Sequence, residues 1–194
     1  MQIQAAQLKD VPQIVKLIKV ILEEMELPAL HELSNTQLTQ LFEKTFASPE
    51  YQGQLANLIV AKDQDEVLGV MFGYIGQNEQ ALFDVFKRYY SELSIPKTTV
   101  IFSDAEADKN EWYLNSLCVS EAHRGQGIGT QLLNYLPTIG EQVHTHEIGL
   151  LVDFENPQAA KLYQRVGFKN ERVQVVAGHH YYHLKKQNTL AGQS

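Results

Sequence analysis

Apolar residues return along this chain at two different spacings, one of strands and one of helices, and the two alternate. Gln2–Ala6 is a short strand candidate. Val11, Ile14, Val15, Ile18, Ile21, Leu22 and Met25 then recur at helical spacing as one stripe. Asp10 stands in the N-cap position and Pro12 in the first turn of that helix. Ser34 and Gln37 form a capping-box pair that announces a second helix. Leu38, Leu41, Phe42, Thr45 and Phe46 carry its buried face until Ser48-Pro49 stops it. LANLIVAK (55–62) and VLGVMFGYI (67–75) flank the polar turn DQDE and predict a hairpin.

From about Gln77 to Asn110 the pattern is irregular, with one helical candidate, ALFDVFKRYYSEL, and an acidic loop, SDAEADKNE. So long an excursion within a compact domain often has a functional role. EWYLNSLCV (111–119) is the next strand. Ile128, Leu132, Leu133, Leu136 and Ile139 form the following helical stripe, which Pro137 should kink or shorten. HEIGLLVDF predicts a buried strand, and Asn156-Pro157 opens a helix closed by Gly167. FKNERVQVVA and HYYHLKK are two final strands joined around Gly178. With no internal repeat or low-complexity linker, the expectation is one mixed α/β domain over 1–187 and a disordered tail at 188–194.

Composition narrows the function classes. The 194 residues suit one domain, 44% apolar content is enough for a substantial core, and the formal net charge is −7. No Lys/Arg cluster forms a phosphate-tracking face, so nucleic acid is not an expected partner. Cys118 is the only cysteine, which rules out an intrachain disulfide. The first ten residues lack the basic and apolar regions of a signal peptide, and no apolar run approaches the roughly 18 residues of a membrane span. The expectation is a cytoplasmic protein with no membrane association.

The stretch HRGQGIGTQLL (123–133) carries the chemistry. A strand running through glycines into a helix aims free backbone N–H groups at one spot, and the helix dipole favours an anion there. Gly125, Gly127 and Gly129 let a ligand come close, and Arg124 can add a charged donor. A purely structural glycine turn is the alternative. A dinucleotide fingerprint fails, because its last glycine position falls on Thr130 or Leu132. A P-loop fails for want of lysine.

The spacing R-x-x-G-x-G, met by Arg124, Gly127 and Gly129, resembles the acetyl-CoA-binding motif of the GNAT superfamily of N-acetyltransferases. NPQAAKLYQRVGF (156–168) is similar to that superfamily's later N-x-x-A-x-x-L-Y-x-x-x-G-F segment. The resemblance covers essentially the whole chain. It implies a GNAT-type α/β fold with a mixed, mostly antiparallel central sheet flanked by helices. It implies transfer of an acetyl group from acetyl-CoA to a primary amine, a small molecule or a peptide, by direct attack in a ternary complex. Within that resemblance the pyrophosphate of coenzyme A rests on the backbone of Arg124, Gly125, Gln126, Gly127, Ile128 and Gly129, with Thr130 nearby. Leu117, Cys118 and Val119 offer backbone groups to the pantetheine arm, Asn156 bonds that arm, and Tyr163 protonates the leaving thiolate. A homodimer paired through the last strands is compatible with it. A non-catalytic acyl-CoA-binding or regulatory domain is the rival reading.

An attacking amine must first lose a proton. Alternation places Glu111, Tyr113, Asn115 and Leu117 on one face of their strand, making Glu111 the candidate base or else a solvated edge glutamate. Asp153 is a second candidate, and Asn115 can orient a water. Alternation also points Cys118 away from that face, as a small hydrophobe rather than a nucleophile. The histidines of GHHYYHLKK, like His144 and His146, suggest strand-edge or contact residues, and no metal is expected. Asp104, Glu106 and Asp108 read foremost as a solvated loop. Phe83, Phe86, Tyr89 and Tyr90 form either an acceptor wall or a helix packed on the core.

Overall fold

The computed structural model describes residues 1–24, 32–102 and 104–188; Met25 and residues 189–194 therefore lie outside the description. In chain order the elements are β1 (Gln2–Ala5), α1 (Val11–Glu24), α2 (Asn35–Phe46), β2 (Ala56–Asp63) and β3 (Glu66–Ile75). They are followed by α3 (Glu79–Lys87), β4 (Trp112–Val119), α4 (Ile128–Leu133) and α5 (Leu136–Val143). The chain continues with β5 (Glu147–Asp153), α6 (Pro157–Arg165), β6 (Lys169–Val176) and β7 (His179–Gln187). The strands form one seven-stranded sheet in the order β1-β2-β3-β4-β5-β7-β6. Every pairing is antiparallel except β4 with β5.

Helices cover both faces, which is why β2 and β3 are apolar at nearly every position rather than alternating. On one face α1, α2 and α3 bury Ile14, Val15, Leu41, Phe42, Leu82 and Phe86 against Val60, Val70, Phe72 and Tyr113. On the other, α4 and α5 bury Ile128, Leu132, Leu136 and Ile139 against Met71, Trp112, Leu114 and Ile148, with α6 laid alongside.

Local signals act as expected at several ends. Ser34 Oγ accepts from the Gln37 N–H while Gln37 Oε1 accepts from the Ser34 N–H. Pro137 sits in the first turn of α5, dividing the expected stripe into two short helices. Asn156 Oδ1 caps α6 through the Ala159 N–H. Asp10 behaves differently from an N-cap of α1. It closes a single 3-10 turn, accepts from the Gln7 N–H, and lies buried 2.5 Å from the Lys62 ammonium. A carboxylate and an ammonium both taken out of water need each other, so the pair ties the start of α1 to β2. The helix in the irregular region stops at Lys87 rather than running to Leu93. Asn188, expected in a disordered tail, is buried, and its N–H donates to the His146 carbonyl.

Among the described residues no helix is long and apolar enough to cross a membrane.

Candidate active site

The site begins where two parallel strands separate. β4 and β5 pair only at Trp112–Ile148, Tyr113–Gly149 and Leu114–Leu150. Beyond Leu114 the β5 side of β4 has no strand partner, while its other edge stays paired with β3 through Val119. Register against β3 shifts at this point: Gly73 faces Leu114 and Phe72 faces Ser116, which leaves Asn115 as a bulge. A bulge inserts one residue and reverses the alternation beyond it.

That reversal corrects two expectations. Leu117 leaves the face of Tyr113 and packs with Val119 towards α4 and α6. Cys118 instead joins the Tyr113 face, where it is buried with its Sγ 3.3 Å from the Leu17 carbonyl.

Past Val119 the chain makes a 3-10 turn over Glu121–His123 and enters the glycines. Gly125 (φ +77°) and Gly127 (φ +79°) lie in the left-handed region, which other residues adopt at a cost. Among the described residues, no atom beyond the adjoining ones comes within 4 Å of where their β-carbons would stand. Backbone conformation, then, is what demands glycine here, and the space above the turn is clear. Gly127 is also the cap of α4 and supplies no side chain to the first-turn N–H groups, which remain available to an anion. Arg124 Nε reaches back to the Val119 carbonyl at 3.4 Å. Gly127→Ala should destabilise the fold by about 1–2 kcal/mol, read from a urea melt.

A β-carbon on Gly129 would lie 3.7 Å from Leu162 and 3.8 Å from Val119. The glycine turn, the end of β4 and α6 thus meet on one face of the sheet. Tyr163, next to Leu162, is half-buried, with its ring edge-on to Phe168 at 5.9 Å. Burial raises its phenol to about 12. Asn156, at the head of the same helix, spends its side-chain oxygen on the cap.

Glu111 lies elsewhere. It is 0% exposed and folded over Gly149, where any β-carbon would collide with its carboxylate. Both oxygens stand 3.0–3.1 Å from His183 Nε2, one accepts from the Asp108 N–H, and Lys185 Nζ lies 3.5 Å away. A carboxylate enclosed this way anchors β4 to β7 and has no open side from which to receive an amine's proton. Asp108, Glu111 and His183 lie within 4.8 Å of one another, close enough for a metal. Lys185 Nζ, 2.8 Å from Asp108, already supplies the positive charge there. Asp153 accepts from the Glu155 N–H at the turn leading into α6.

The acidic loop differs most from its expected solvated state. Asp104 accepts from the Ala177 N–H, Asp108 forms a two-bond pair with Arg172, and Gln174 donates to the Ala105 carbonyl. These contacts lay the loop across β6 and turn Glu106 inward. Tyr113 donates its hydroxyl to Glu106 at 2.7 Å, and Asn115 Nδ2 lies 3.5 Å away. Burial pushes the Glu106 carboxyl up to about 7, opposed by the Tyr113 hydrogen bond and helped by the charge of Glu79. Glu79, itself raised by burial, accepts from Tyr74 and from the Glu106 and Ala107 N–H groups. Nothing in the local spacing singles out Glu106 from its neighbours; the path of the loop does.

Glu106, Asn115 and Ser116 form the polar end of a cavity of about 60 Å³ between α1, α2, α3 and the sheet. Phe83 and Phe86 line it, whereas Tyr90 is buried in the core and Tyr89 is partly buried against it. The cavity lies on the opposite face from Tyr163, and the separation of β4 from β5 lies between them.

A family model described as the acetyltransferase (GNAT) family matches residues 25–168. A solved structure of an acetyltransferase is 34% identical, with 97% of this chain and 100% of that chain covered and a TM-score of 0.86. An N-acetyltransferase from Staphylococcus aureus Mu50 is 26% identical over 96% of this chain and 100% of its own, with a TM-score of 0.79. An aminoglycoside 6'-N-acetyltransferase complexed with coenzyme A, 18% identical over 97% of this chain and 98% of its own, shares the fold at a TM-score of 0.60. The strand separation, the glycine turn and the match over most of the chain lead to one assignment: this protein belongs to the GNAT acetyltransferase family.

Proposed function

We propose that the protein transfers the acetyl group of acetyl-CoA to a primary amine by direct attack, with both substrates bound at once. The observation that carries this reading is the opened β4–β5 seam. It has the glycine turn and Tyr163 on one face and a carboxylate-ended cavity on the other. The backbone N–H groups from Gly125 to Gly129, with Thr130 nearby, hold the pyrophosphate, while the Arg124 N–H already donates to the Glu121 carbonyl. The free edge of Leu117–Val119 pairs with the pantetheine arm and donates to the thioester oxygen, where negative charge develops.

Glu106 takes the base's role in place of Glu111. A carboxyl near 7 is about half ionised at neutral pH and is a stronger proton acceptor than an ordinary glutamate. The bound ammonium first gives one proton to Glu106, directly or through one water. The freed nitrogen then bonds to the acetyl carbon, and as the C–S bond breaks the nitrogen's second proton passes to water and coenzyme A leaves as the thiolate. Tyr163 donates a hydrogen bond to the departing sulfur. With its phenol at about 12, full transfer to a thiolate of conjugate-acid pKa about 8.5 would run uphill. Its contribution is therefore that of one hydrogen bond to a sulfur gaining negative charge. Tyr163→Phe should lower kcat about tenfold with KM for acetyl-CoA nearly unchanged.

Thiol release from acetyl-CoA across a broad amine panel tests the reading. Turnover with at least one amine, and an acetylated product by mass, is the expected result. If acetyl-CoA raises the melting temperature yet no amine releases thiol, the non-catalytic acyl-CoA-binding domain is the correct reading.

A further inference from the structure

The cavity ending at Glu106 has a composition that selects among amines. Among the described residues, its lining holds no charged group besides Glu106. Two of its hydroxyls are already engaged, Tyr51 donating to the Leu82 carbonyl and Tyr74 to Glu79. Asn115 and Ser116, the remaining polar side chains, sit beside Glu106 at the β4 end, with Ser116 Oγ donating to Asn115 Oδ1. All other lining is aliphatic or aromatic.

We propose that the acceptor is a monocationic amine with an apolar aryl or branched-alkyl body, the body filling the aromatic cavity and the nitrogen standing at Glu106. This rests on the transferase reading above. A polyamine would carry a second ammonium into the rings, where no carboxylate of the described lining meets it and an unpaired buried charge is strongly disfavoured. Aromatic faces can hold a cation when they are open. Here they are turned on one another: Tyr51 stacks on Phe72 at 5.4 Å and 11°, and Phe42 meets Phe86 edge to face at 5.0 Å. A hydroxyl-rich amino sugar fares no better, since its hydroxyls would lose water and find almost no partners. An apolar body loses nothing there and gains from leaving water.

The amine's positive charge meets Glu106 on approach, and Glu79 lies one shell behind, bonded to the Glu106 N–H. Asp104, in the same loop, is exposed, so the negative charge extends outward from the cavity's polar end. These groups attract a cation to the Glu106 end while the rings accept its uncharged remainder.

The test measures kcat/KM with saturating acetyl-CoA for linear alkylamines of increasing length, 2-phenylethylamine, isoamylamine, spermidine, kanamycin and lysine. Each methylene that enters the cavity should raise kcat/KM about fourfold until the cavity is full. The two bulky apolar monoamines should exceed spermidine, kanamycin and lysine at least tenfold. In Phe83→Asp, on the half-buried wall, the methylene increment should shrink and spermidine should gain relative to 2-phenylethylamine. A thermal shift with acetyl-CoA, unchanged in that variant, shows that fold and donor site persist. A higher kcat/KM for spermidine, kanamycin or lysine in the wild type overturns the acceptor class and leaves the transferase standing. So does a flat alkylamine series. Absence of transfer to every amine, with acetyl-CoA still bound, overturns both.

Discussion

Glu106→Gln is expected to lower kcat/KM for the amine about a hundredfold or more and to abolish its dependence on pH around neutrality. The glutamine keeps the shape of the side chain and its hydrogen bond from Tyr113, so the loop stays in place. What it loses is the capacity to accept a proton. In the proposed mechanism that capacity belongs to the ionised carboxylate, so kcat/KM for the amine should fall about tenfold per pH unit below about 7 and level off above it. The direction follows from the base having to be deprotonated before it acts. A plot of log kcat/KM for the amine against pH from 5 to 9 for both proteins checks this. Retention of the inflection near 7 in the variant would assign it to another group.

Glu111→Ala should have its effect on stability instead, lowering the free energy of unfolding by about 3–5 kcal/mol. That is a large part of the roughly 5–15 kcal/mol that holds a domain together. Glu111 and His183 are both 0% exposed, and removing the carboxylate leaves the buried imidazole, the Asp108 N–H and the nearby Lys185 ammonium without their common partner. Lys185 retains Asp108 and Glu147, so the loss falls mainly on His183. Urea unfolding followed by fluorescence measures the effect, since the lone tryptophan, Trp112, adjoins Glu111 in β4. At temperatures where the variant remains folded, its kcat should stay within a few-fold of wild type. A folded, stable variant with kcat down a hundredfold would return the base's role to Glu111.

The two glutamates show where reading the chain succeeds and where it stops. Glu111 reads in the sequence as a strand residue on the face of Tyr113; in the structure it stands one residue before β4 begins. What alternation cannot convey is that the neighbouring β7 closes over that face with His183 and Lys185. Glu106 looked like one acid among several in a polar loop. Its inward turn comes from contacts between residues as much as 73 positions apart in sequence, Asp104 with Ala177 and Asp108 with Arg172. Cys118 and Leu117 exchanged faces for a similar reason. The bulge at Asn115 exists only in relation to β3, where Gly73 accommodates the ring of Trp112.

Features that depend on a few adjacent residues were determined by the sequence itself. The capping box of α2, the break before α5, the cap of α6 and the left-handed glycines before α4 all follow from backbone dihedrals and bonds spanning at most four residues. The two motifs that identify the donor site are of this kind, because a helix start and a glycine turn need nothing distant to form. The acceptor side was decided only by tertiary structure. Its cavity draws on three helices, two strands and a loop, and the proton affinity of Glu106 depends on how much water their packing removes.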